Sequence, residues 1–135
     1  MRLLLDTHAM IWLDAGEPMN REALDLIDAA GRSSELFVSA ISFWELAQLV
    51  ARGRVRVQDS IEVWIERFSA QPGITAVPLT PAAAVRSVSL PGLLHRDPAD
   101  RFLIATALEL DAAIVTRDQV ILAHAQAGHV DAIPC

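Results

Sequence analysis

The chain contains no lysine and no tyrosine among its 135 residues, and it has a single cysteine. All 11 basic residues are therefore arginine. Without lysine there is no Schiff-base or pyridoxal chemistry, and no phosphate loop ending in Gly-Lys-Ser/Thr. Cys135 alone excludes an intrachain disulfide and a cysteine-rich metal site, and fits a reducing compartment. With aromatic residues at 5%, the chain does not read as a base-stacking platform. The opening apolar run is cut by Asp6 and His8 before it reaches the length of a signal-peptide core, and nothing later approaches the ~20 apolar residues of a membrane span. These absences predict a soluble, cytoplasmic protein with no membrane partner.

What is present is a core. Hydrophobic residues make up 53% of the chain and charged residues 21%, with mean hydropathy +0.34, which excludes disorder. The length suits one domain over residues 1–135. A net charge of -6 argues against binding polyanions by bulk charge, so any nucleic-acid contact must be local.

Short apolar runs at 2–5, 36–39, 74–77, 113–116 and 130–133 read as buried strands. Between them lie helix-like stretches at 8–15, 21–30, 41–52, 58–70, 81–89, 98–110 and 119–127, several stopped by glycine. This alternation predicts an α/β class, a three-layer α/β/α sandwich around a mostly parallel sheet of four to five strands.

Four regions then send an acid to one sheet edge. Asp6 ends the first strand, Glu45 lies one turn into the helix after the second, Asp97 and Asp100 open the 98–110 helix, and Asp118 follows the 113–116 strand. In an open parallel sheet the carboxyl ends of the strands share the rim where ligands bind. Asp6, Asp97 and Asp118 also stand where helix caps are expected, and Asp97-Pro98-Ala99-Asp100 approaches an ideal capping arrangement. Glu45 discriminates better, because its helical neighbours are mostly apolar and no basic residue lies within helical reach. If Asp6, Glu45, Asp100 and Asp118 converge, a cation must neutralise them, and hard oxygen donors without cysteine select Mg²⁺ or Mn²⁺ over Zn²⁺.

The blocks Leu4-Leu5-Asp6-Thr7-His8, Val38 to Leu46, His95 to Ala107 and Val115-Thr116-Arg117-Asp118, in this order and spacing, resemble the PIN-domain nucleases, most closely the VapC-type ribonuclease toxins. The resemblance covers nearly the whole chain. It implies that Asp6, Glu45, Asp100 and Asp118 are the catalytic, metal-binding acids, with Asp97 auxiliary or a cap. It also implies metal-assisted hydrolysis of RNA phosphodiester bonds, a cognate antitoxin as protein partner, and a homodimer. Thr116 is expected at a carboxylate or at the substrate, and Ser42 shares that ambiguity. Arg96, Arg101 and Arg117 stand beside the acid blocks as phosphate clamps or as surface ion pairs. His8 could touch substrate, with packing as its simpler role, and Trp12, Trp44 and Trp64 read as core or interface. The competing readings are a catalytically silent PIN-like module that only holds a metal or partner, and a DNA-directed nuclease with the same metal site.

Overall fold

The computed structural model describes residues 1–92 and 97–135. Five strands, β1 (Leu3–Leu5), β2 (Leu36–Ser39), β3 (Ile74–Val77), β4 (Ala113–Thr116) and β5 (Asp131–Pro134), form one sheet in the order β3-β2-β1-β4-β5. Every neighbouring pair is parallel, so the mostly parallel sheet expected is wholly so. Parallel neighbours need long crossovers, and these are supplied by α1 (Thr7–Ala15), α2 (Arg21–Arg32), α3 (Ala40–Ala51), α4 (Ile61–Ser69), α5 (Pro81–Arg86), α6 (Pro98–Leu110) and α7 (Gln119–Gln126). A short 3₁₀ turn, Ser87–Ser89, follows α5.

The layers follow from the period of two along a strand. Leu3 and Leu5 enter an apolar cluster with Met10 of α1, Ile27 of α2, Leu46 of α3, and Trp64 and Phe68 of α4. Leu4 points the other way, to Leu103 and Ile104 of α6, Ile114 of β4 and Ile121 of α7. All three leucines are fully buried, so one three-residue strand nails two cores together. Truncating Leu4 to Ala should cost about 2–5 kcal/mol.

Several helix boundaries differ from the sequence reading, two of them with a visible local partner. The helix expected from residue 58 begins at Ile61, because the Ser60 hydroxyl caps it by accepting from Val63 N at 3.3 Å. The helix expected to stop at Gly31 continues to Arg32, and Ser34 takes the left-handed conformation (φ 57°) instead. Gly31 and Gly73 approach each other too closely for a side chain: a Cβ on Gly73 (φ +85°) would lie 2.1 Å from the Gly31 carbonyl oxygen. That contact packs the end of α2 against the turn entering β3.

Because β1 is central and the chain leaves it for β2 on one side and returns to β4 on the other, the order reverses between β1 and β4. The carboxyl ends of these two strands, carrying Asp6 and Asp118, flank the switch point where such sheets bind ligands.

Candidate active site

Asp6 follows β1 directly and caps α1, its Oδ1 accepting from Ala9 N at 2.7 Å. Its Oδ2 accepts a hydrogen bond from the Thr116 hydroxyl at the end of β4. Thr116 Oγ1 in turn accepts from Asp118 N at 3.0 Å, and Asp118 Oδ1 caps α7 through Val120 N and Ile121 N at 2.8 and 3.0 Å. One threonine therefore ties the two acids of the switch point together. It is fully buried against Asp6, so of the two contacts expected for it the structure shows the one to a carboxylate.

Glu45 reaches the same place from α3. Its Oε1 accepts from Thr7 Oγ1 at 2.5 Å, and the buried Ser42 hydroxyl lies 3.2 Å from that threonine oxygen. Thr7 carried no role in the sequence reading, although its position beside Asp6 at the start of α1 signalled it. Asp97 caps α6 by accepting from Ala99 N at 3.0 Å, and Asp100 occupies the first turn of the same helix. The capping readings and the cluster reading are thus compatible: three of the acids cap helices and still face one space.

That space is a cavity of about 370 Å³ lined by Asp6, Glu45, Asp97, Asp100 and Asp118 with Thr7, His8, Trp12 and Arg117. Burial pushes the Asp6 carboxyl up from its ordinary value, against hydrogen bonds from Thr116 and Ala9, and the Asp118 charge adds to the rise. Burial also raises Glu45, opposed mainly by the Thr7 hydroxyl, and Asp97 and Asp6 push it further up. Hydroxyls and backbone N–H groups hold these two carboxylates against the charge of the neighbouring acids.

The basic residues divide. Arg117 lines the cavity, with its guanidinium 4.0 Å from the Trp12 ring centroid, Nε donating to the Cys135 main-chain oxygen at 2.8 Å and Nη2 to the Pro18 carbonyl at 2.7 Å. Arg101, expected as a phosphate clamp, does not line it; its Nε donates to Ser87 O at 2.9 Å and its Nη2 to Val88 O at 3.1 Å, bracing the 3₁₀ turn. Arg96 and His95 lie outside the described residues. Trp64 is core as expected, whereas Trp44 is 52% exposed and Trp12 turns to the cavity. His8 is exposed at the cavity wall, with its ring beside that of Trp12.

The donor set fits a hard divalent cation: oxygen donors only, two of them with charge that burial makes costly. As the side chains stand, no three acidic, imidazole or thiol groups among the described residues lie close enough to hold an ion together. Chelation would require some carboxylates to turn further into the cavity.

Comparison with known proteins places this arrangement. The PIN domain model matches residues 3–128. The chain is 34% identical over 122 residues to Ribonuclease VapC22 of Mycobacterium tuberculosis, covering 90% of this chain and 91% of that protein. Among solved structures, the fold is similar to VapBC2 from Rickettsia felis bound to a promoter DNA fragment, with TM-score 0.73 at 12% identity over 99% of this chain and 98% of that one. FitAcB from Neisseria gonorrhoeae aligns with TM-score 0.66 at 20% identity over 97% and 96%, and a toxin-antitoxin complex from Klebsiella pneumoniae with 0.58 at 21% over 86% of each. A five-stranded parallel sheet with seven helices, an acid-lined switch point and a family match over nearly the whole length lead to one conclusion: the chain belongs to the PIN-domain family.

Proposed function

We propose that the protein is a divalent-metal-dependent endoribonuclease, the toxin of a toxin–antitoxin pair. The observation that carries this reading is the cavity at the β1/β4 switch point, which five acids from four segments of the chain line together. The similarity to a protein named Ribonuclease VapC22, and the likeness of the fold to VapBC and toxin-antitoxin complexes, support the substrate class and the antitoxin partner.

In this reading Asp6, Glu45, Asp100 and Asp118 hold Mg²⁺ or Mn²⁺, and Asp97 assists from the α6 cap. Once bound, the cation supplies Lewis acidity toward the phosphodiester and neutralises the acid cluster. Thr116 and Thr7 act as positioning residues, fixing the carboxylates of Asp6 and Glu45 through their hydroxyls. The Ala9, Val120 and Ile121 N–H groups hold the remaining angles of Asp6 and Asp118. Arg117 sets a positive charge at the cavity rim, where an approaching phosphate meets it before the acids. An antitoxin that inserts an arginine among the acids would silence the site by the same electrostatics. A homodimer is part of the proposal.

The test is incubation of partner-free protein with total RNA in Mg²⁺ or Mn²⁺, beside chelator and Asp6→Asn controls. Discrete cleavage that chelator and Asp6→Asn both remove is the expected result. Cleavage that persists in either control contradicts the reading.

A further inference from the structure

The cavity has a second wall that the acids do not use. His8, Trp12 and Arg117 line it opposite in chemistry to the carboxylates, bringing an imidazole, an indole and a guanidinium to the same 370 Å³ space. His8 and Trp12 are four residues apart on α1, so they share one helical stripe, and their ring centroids are 5.6 Å apart with the planes tilted by 44°. Their neighbours Ile11 and Leu13 pack against the core cluster, so α1 spends its apolar face there and turns this aromatic pair outward to the site.

The indole is held in place. The Arg117 guanidinium lies over it at 4.0 Å, within cation–π range, and is itself anchored by the Cys135 and Pro18 main-chain oxygens. A large flat apolar surface kept at a cavity wall, already ordered, binds a second flat ring at small entropic cost. The volume suits a single small ligand moiety and not a duplex.

We propose that Trp12 and His8 form a shelf on which one nucleobase beside the scissile phosphodiester stacks, with Arg117 fixing the indole and offering its charge to the adjoining phosphate. This inference rests on the ribonuclease reading above. Stacking recognises the π-face that every base carries, so the shelf positions a single strand over the acids and reads its sequence only weakly. Trp12 and His8 are substrate-binding residues in this account, and Arg117 is a positioning residue for the ring.

The experiment begins with a site that the wild-type protein cleaves in total RNA. A labelled single-stranded oligoribonucleotide spanning it is then bound to Asp6→Asn protein in chelator, with an abasic ribose at either nucleotide flanking the scissile bond. One of the two abasic positions should raise Kd about tenfold. Adding Trp12→Leu should raise Kd for the intact strand by a similar factor and erase the abasic penalty, while Trp12→Phe restores most of both. Should Trp12→Leu fail to fold by circular dichroism, His8→Ala, at an exposed position, carries the same comparison with a smaller penalty. An abasic penalty that persists at full size in these variants, or no penalty at either position, overturns the shelf while leaving the ribonuclease reading intact. Absence of any wild-type RNA cleavage overturns both.

Discussion

Helix α1 carries an acid at each end, and the two are treated in opposite ways. Asp14, in the last turn, is gripped by Arg67, whose Nη1 and Nη2 donate to its two oxygens at 3.0 and 3.2 Å, and by the Trp64 indole N–H at 3.0 Å. Asp6, at the first turn, is more buried, yet its described partners are one hydroxyl and one backbone N–H, and burial raises its carboxyl above the ordinary range. A structural acid near a helix C-terminus brings its own cation, which offsets the unfavourable dipole. An acid at the N-terminus whose described hydrogen-bond partners include no cation, amid other acids, costs stability that a bound ligand can return. The contrast also warns against size as a guide, since the larger cavity of about 830 Å³, lined by Met1, Arg2, Leu122 and Ile133 among others, gathers no comparable cluster.

Substitution at each end of α1 separates the two acids. Asp6→Asn should lower RNA cleavage by about 10²–10³-fold, the loss of several kcal/mol of metal-mediated stabilisation, whereas Asp14→Leu should leave the cleavage rate within about threefold. Single-turnover rates on one substrate check both. Thr116→Val keeps the shape but removes the hydroxyl that joins Asp6 to Asp118 N, and should cost about 10–100-fold in metal affinity or rate. Titration of Mn²⁺ into the variant measures it.

Stability should move the other way. Asp14→Leu leaves the buried Trp64 N–H without its acceptor and should cost about 1–3 kcal/mol in urea denaturation. Asp6→Asn in chelator should instead raise the thermal midpoint by about 4 °C, the effect of ~1 kcal/mol in a chain of this length. The sign follows from linkage: with a folded pKa raised above the unfolded one, the native state binds more protons, so metal-free stability falls as pH climbs from the ordinary carboxylate range through the raised value. His124 gives the smallest effect. Its imidazole is buried, with no hydrogen-bond partner for Nε2 among the described residues, and burial and His129 lower its pKa, so stability should fall by less than about 1 kcal/mol as pH drops from about 6.5 through the lowered value. His124→Phe should remove that slope from the pH-dependence of unfolding.

Much of this was legible in the sequence because it depends on local pattern. Apolar runs such as 36–39 and 113–116 coincide with β2 and β4, and the 98–110 helix was readable from Asp97-Pro98 at its start. The acids were legible because sheet topology sends strand ends to a common rim. What was not legible depends on side-chain direction across the fold. Trp12 and Trp64 look alike in a helical pattern, yet one stacks with Phe68 in the core and the other stands under Arg117 at the cavity. Arg101 and Arg117 both adjoin acid blocks, and only the placement of main-chain carbonyls decides that one braces a turn while the other reaches the site. Gly31 lies inside α2, which runs one residue further, and the approach of Gly73 to its carbonyl is a tertiary contact that no local pattern announces.

In the proposed nuclease the acids at the β1/β4 switch point destabilise the fold until a divalent cation binds them. The most direct measurement is the thermal midpoint of partner-free protein against Mn²⁺ concentration, for wild type and Asp6→Asn side by side. The wild-type midpoint should start below that of Asp6→Asn and rise with Mn²⁺, as stability gains about 2.7 kcal/mol at a hundred times Kd, while the variant stays nearly flat. Equal midpoints in chelator and the same Mn²⁺ response in both proteins would contradict it.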